Sequence, residues 1–83
     1  MKILTLDCLS LGESGILKEL CVTGSMQRRM IDLGFVEGTR IKCVGRSPAG
    51  DPCAYLVRGA VIAIRLADAQ RVFVCEEAED GTY

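Results

Sequence analysis

The chain contains no histidine and no tryptophan among its 83 residues. Without histidine, the side chain that most often serves as general base and as metal ligand near neutral pH is missing. Rings are scarce as well. Two Phe and two Tyr, with Tyr83 at the very end, are too few to line an aromatic peptide groove or to build a stacking platform for single-stranded nucleic acid. Apolar runs are short. The stretch at residues 60–64 falls far below the roughly 20 residues a spanning helix needs, so neither membrane insertion nor export is expected, and the cytoplasm is the expected location. No C-x-x-C pair occurs among Cys8, Cys21, Cys43, Cys53 and Cys75. The odd count fits reduced thiols, and Cys43, Cys53 and Cys75 read as small hydrophobes within strands, with no metal site expected. No phosphate-cradling glycine loop and no nucleophile with a partnered base is visible. Catalysis and a bound cofactor are therefore not expected, and a binding role is.

What is present suffices for one compact domain. Hydrophobic residues make up 49% and mean hydropathy is +0.28, enough to fold but only around a thin core. Formal net charge is −1. The acids are unevenly placed: Glu76, Glu77, Glu79 and Asp80 cluster at the end, leaving residues 1–75 with 10 bases against 7 acids. The expected organisation is a mildly basic domain over residues 1–75, followed by an acidic flexible tail over 76–83.

Glycines cut the chain into pieces that suit strands better than helices. Residues 15–22 form the first expected strand, with Leu17 and Leu20 in the core. Met26, Met30 and Leu33 then recur at i, i+4 and i+7, with Gln27, Arg28 and Asp32 opposite them, which predicts a short helix. Ser25 is placed to cap it, and Gly34 to end it in a left-handed conformation that lets Phe35 fold back on Met30. Residues 39–46 alternate, with Ile41 and Cys43 on one face and Arg40, Lys42 and Arg46 on the other. Residues 47–52 form a breaker loop with Pro48 and Pro52. Two strands, 53–57 and 61–66, are expected to meet as a hairpin across Arg58 and Gly59, with Ile62, Ile64 and Leu66 forming the centre of the core. Residues 67–71 suffice for one helical turn. Residues 72–75 read as a last strand whose inward pair is either Val72 and Val74 or Phe73 and Cys75. About five strands, with one short helix after the first, describe a mostly β fold: a small closed barrel of the SH3-like kind.

Particular residues are more specific than that outline. Asp32-Leu33-Gly34, then Gly38-Thr39, the basic strand, Pro48-Ala49-Gly50-Asp51-Pro52, and Ile64-Arg65-Leu66 with Ala69 together resemble the FeoA family of bacterial ferrous-iron transport accessory proteins. Leu9-Ser10-Leu11-Gly12 followed by Gly15 is similar to the family's opening. Two departures stand out: Ile64-Arg65 replaces Leu-Arg, and Ala49 replaces a leucine between Pro48 and Gly50. The resemblance implies an SH3-like barrel in the cytoplasm that contacts the cytosolic G-protein region of the FeoB membrane transporter. A related barrel forms the C-terminal domain of DtxR-type metal-dependent repressors, although a preceding DNA-binding helix pair is not expected here.

Residues expected to touch a partner are Arg28, Arg29, Phe35, Arg46, Pro48 and Arg65, because exposed arginines and a rigid loop suit docking on an acidic surface. Gly34, Gly38, Gly50, Asp51 and Pro52 are expected to shape the backbone, and Arg65 to brace either Asp51 or the turn at Asp68. A nucleic-acid-binding barrel is the rival reading, carried by Arg40, Lys42 and Arg46 on one strand; nucleic acid is nevertheless not the expected partner.

Overall fold

A computed structural model describes residues 2–76. Strand β1 (Ile3–Thr5) leads through a 3-10 turn (Leu6–Cys8) to β2 (Ser14–Leu20). Helix α1 (Gly24–Asp32) follows, then β3 (Arg40–Arg46), β4 (Cys53–Val57), β5 (Ala60–Ile64), the one-turn helix α2 (Leu66–Ala69) and β6 (Val72–Glu76). The strands form one antiparallel sheet in the order β1-β6-β2-β3-β4-β5. The expected mostly β, SH3-like architecture is present, with six strands rather than five. The extra strand, β1, has three residues, too few for an alternating pattern to register in the sequence. Among the described residues the sheet does not close by hydrogen bonds as expected: β1 and β5 are its edges.

Helix α1 buries Met30 and packs Met26 and Leu33 against the core, leaving Gln27, Arg28 and Asp32 exposed. Its start differs from expectation. Thr23 is the N-cap, without a side-chain cap bond, and the helix opens at Gly24, so Ser25 already lies inside the first turn. Its end follows the sequence reading. Gly34 has φ +110, the Phe35 amide donates to the Met30 carbonyl at 2.9 Å, and the Gly34 amide donates to the Ile31 carbonyl at 3.0 Å. This paired closure turns Phe35 into the core. A Cβ at Gly34 would also meet the Arg58 Cδ at 2.9 Å, the movable part of a long side chain, so the cost of a larger residue lies mainly in the backbone. Gly34→Val is expected to lower unfolding stability by about 2 kcal/mol, read as a drop in urea midpoint with an unchanged slope.

Two bulges set which side chains face inward. In β2 the pairing with β6 slips between Leu17 and Glu19, and in β3 the pairing with β4 slips between Cys43 and Gly45. Leu17 is buried and Leu20 packs against the core although they stand three apart, which an unbroken strand forbids. Pairing also settles the last strand. Leu17 faces Val74 and Leu20 faces Val72, so Val72 and Val74 are the inward pair, both buried.

The hairpin of β4 and β5 turns through Arg58 and Gly59, both with positive φ (52 and 84). Beyond it the expected core row fails in part. Ile64 is buried and Ile62 half-buried, but β5 ends at Ile64, and Leu66 opens α2 at 41% exposure. Glu76, the first residue of the expected tail, is paired with Gly15 in β6. The rest of that tail, 77–83, lies outside the described residues.

Candidate partner-binding surface

The breaker loop is braced from inside the protein. The Gly50 amide donates to the Ser47 carbonyl at 2.8 Å and the Ser47 amide to the Pro52 carbonyl at 3.2 Å, while the Cys53 thiol donates to the Gly50 carbonyl at 3.6 Å. Asp51 reaches outward along the chain: its Oδ1 accepts the Leu66 amide at 2.8 Å. Arg65, the residue preceding α2, provides no side-chain cap, so a carboxylate from another loop satisfies the first amide of that helix. The sequence reading had Arg65 bracing either Asp51 or the turn at Asp68; Asp51 is met one residue later, by the Leu66 amide, and the Asp68 amide donates to the Arg65 carbonyl at 3.0 Å. Asp51→Ala is expected to lower stability by about 1 kcal/mol, and Asp51→Asn by less, since an acceptor remains; thermal melts of the two variants check the order.

Arg46 departs from its expected face. Because of the bulge in β3, it pairs with the buried Cys53 and lies on the same face of the sheet as Cys53, while remaining exposed at the sheet's end. There its Nη2 donates to the Leu9 carbonyl at 2.9 Å and its Nη1 lies 3.9 Å from the Cys53 sulfur. One guanidinium thus ties the loop before β2 to the β3–β4 end, and Arg46 does not share a face with Arg40 and Lys42. Phe35, by contrast, is removed from the surface: it is 1% exposed and serves as a core residue.

The remaining candidates are exposed: Arg28 and Arg29 on α1, Pro48 on the breaker loop and Arg65 before α2. They do not form one patch. Pairing of Arg46 with Cys53 and of Cys53 with Ile64 puts Pro48, Asp51, Pro52 and Arg65 at one end of the β3-β4-β5 hairpins. Gly34 beside Arg58 puts the end of α1 at the other, a β4 length of roughly 15 Å away. Gly38 and Gly50 both adopt positive φ (91 and 87), one at each end. At the α1 end lies an open depression of about 420 Å³ lined by Val36, Glu37, Gly38, Thr39, Arg40 and Arg58. Sequence reasoning did not single out Arg58. Its signal was its place before Gly59 in a two-residue turn, which makes it a non-glycine residue in left-handed backbone.

Buried chemistry clusters around Tyr55. Its hydroxyl lies 3.5 Å from the Leu6 carbonyl, and burial, more than the nearby Cys53 and Cys43 thiols, pushes its ionisation well above the ordinary phenol value. Burial also pushes the Cys43 thiol up, which keeps it protonated and unreactive. Among the described residues no three of His, Cys, Asp and Glu come together in a way that could hold a metal ion. No helix among them is long and apolar enough to cross a membrane.

The FeoA domain matches residues 4–76, from the first strand to the last residue of β6. The chain belongs to the FeoA family. Among solved structures, the FeoA protein from Chlorobium tepidum is 26% identical, with a TM-score of 0.87 over 95% of this chain and 76% of that one. Stenotrophomonas maltophilia FeoA, solved with zinc and described as an SH3 domain protein and a candidate ferrous iron transport activating factor, is 31% identical, with a TM-score of 0.76 over 86% of this chain and 88% of that one. A manganese-dependent transcriptional repressor contains the same fold at 16% identity, with a TM-score of 0.79 over 90% of this chain and 42% of that one, a likeness of fold alone. No functionally curated protein matches the chain in sequence. Membership in the FeoA family links the chain to ferrous iron transport.

Proposed function

We propose that this chain is a non-catalytic cytoplasmic accessory factor of ferrous-iron uptake that docks on the cytosolic G-protein region of a FeoB-type transporter. The observation that carries this reading is the FeoA match across 4–76, on a domain whose exposed candidates are arginines and a braced loop rather than reactive groups. Arg28, Arg29, Pro48 and Arg65 are the proposed contacts, and an acidic transporter surface is the complementary partner. The nucleic-acid reading loses support because Arg46 is bonded to the Leu9 carbonyl, so the strand's basic row is incomplete.

The test is a calorimetric titration of the chain into the transporter's cytosolic domain, nucleotide-free and nucleotide-bound. Saturable binding in at least one state is expected, with Arg28→Glu/Arg29→Glu weakening it about tenfold, equivalent to about 1.4 kcal/mol. Absence of binding in every state overturns the proposal.

A further inference from the structure

The two sheet edges are guarded differently. β1 has three residues and follows Lys2; β5 has five, Ala-Val-Ile-Ala-Ile, without a charge, a proline or a bulge. Natural edge strands of this length are usually blunted by such features, because unpaired amides and carbonyls are a template for another strand. In the two-residue hairpin, Val57 and Ala60 form the closing hydrogen-bonded pair, and alternation continues through Tyr55 with Ile62 and Cys53 with Ile64. Ala60, Ile62 and Ile64 therefore direct their backbone groups at β4, and Val61 and Ala63 direct theirs away from the sheet. Among the described residues nothing accepts or donates to those four groups. Val61 is also 65% exposed, the most of the large hydrophobic residues.

Charge selects the occupant. Arg58 and Arg65 stand at the two ends of β5, both exposed, and among the described residues neither guanidinium has a hydrogen-bond partner. Antiparallel pairing of β5 with a second copy, centred on Ile62, would bring Arg58 of one copy beside Arg65 of the other at both ends. That repulsion opposes self-association. A strand carrying an acid at each end and about five β-forming residues between them reverses the sign at both ends, in either chain direction.

We propose that the outer edge of β5 is a strand-addition site for an extended, acid-flanked segment of a partner protein, with Val61 and Ala63 supplying the backbone bonds and Arg58 and Arg65 the selectivity. Only the identity of that partner rests on the transporter reading; the site itself does not.

The probe is a capped seven-residue peptide, Asp-Thr-Val-Thr-Val-Thr-Asp, with Lys in place of both Asp as control, titrated against the 83-residue protein and followed by amide shifts and hydrogen exchange. Shifts confined to residues 58–66 are expected, with slower exchange of the Val61 and Ala63 amides and at least tenfold weaker binding of the Lys peptide. Val61→Pro removes an outward amide without costing a ladder bond and should weaken the Asp peptide at least tenfold. Arg58→Glu/Arg65→Glu keeps the edge intact and should invert the preference between the peptides. Shifts centred elsewhere, equal affinity for both peptides, or no response at millimolar peptide overturn the proposal. The same Val61→Pro protein separates this proposal from the transporter reading: undiminished binding to the cytosolic domain overturns the transporter as the source of the β5 segment and leaves the transporter reading standing. Conversely, peptide addition without transporter binding by the unaltered chain supports the site and overturns the transporter as partner.

Discussion

Tyr55→Ala is expected to lower unfolding stability by about 3–5 kcal/mol, the range for deleting a buried aromatic side chain. The ring is the largest fully buried side chain of the domain, at 1% exposure, and sits on the middle strand of the β3-β4-β5 meander, opposite Cys43 on one side and Ile62 on the other. A domain of this length has on the order of 4–12 kcal/mol in total, so the variant should be largely unfolded at growth temperature or close to it. Tyr55→Phe separates the ring from its hydroxyl. The bond to the Leu6 carbonyl is long, at 3.5 Å, and its loss should cost about 1 kcal/mol or less. Urea titrations of the three proteins check both values. A pH series adds an independent reading. Burial raises the Tyr55 phenol above its ordinary value of 10.0, so in alkali the unfolded chain ionises there while the folded chain keeps its proton. The stability this residue supplies is complete below about pH 10 and declines as pH rises beyond it toward the folded-state value. Above pH 10 the wild-type midpoint should therefore fall more steeply than that of Tyr55→Phe.

Gly15→Val is the second large effect, expected at about 3 kcal/mol. Gly15 is buried where β2 is flanked by β3 and β6, paired with Ile41 and Glu76. A Cβ built there would lie 2.9 Å from Val74 Cγ2 and 3.3 Å from the Cys75 carbonyl oxygen. Unlike the arginine stem beside Gly34, these neighbours are a core side chain and the backbone of the adjoining strand, and neither can move without displacing β6. Gly15→Ala should already cost about 1–2 kcal/mol. If alanine were neutral in a denaturant titration, the close approach of the two strands would not be the reason for glycine at this position.

Features set by neighbouring residues were legible in the sequence, and features set across the sheet were not. The end of α1 could be read because Met30, Gly34 and Phe35 lie within one turn and a half. The turn at Gly59 and the inward placement of Ile41 and Cys43 were equally local. Arg46 was misplaced because period-two reading carries every residue after Cys43 to the wrong side once Val44 is passed over in pairing, and the one local sign of the slip, a glycine inside the strand at Gly45, also fits an unbroken alternation. Val72 and Val74 could not be chosen over Phe73 and Cys75 until β2 supplied Leu17 and Leu20 as their partners. The bond from Asp51 to the Leu66 amide spans 15 residues, beyond the reach of any turn rule. Of the candidate surface, the arginines of α1, Pro48 and Arg65 stay exposed, Arg46 is exposed but bonded to the Leu9 carbonyl, and Phe35 is buried.

The slip in β2 bears on how this strand can change length. Leu17, Glu19 and Leu20 face Val74, Phe73 and Val72 in turn, an unbroken alternation once Lys18 is skipped. A deletion of either Lys18 or Glu19 would leave Leu17 and Leu20 opposite Val74 and Val72, with the charged residue that remains opposite Phe73, whereas a deletion of Leu17 would bring Lys18 opposite Val74 and a charge to the core side. Shortening of this strand is therefore steered to the two charged residues between the leucines.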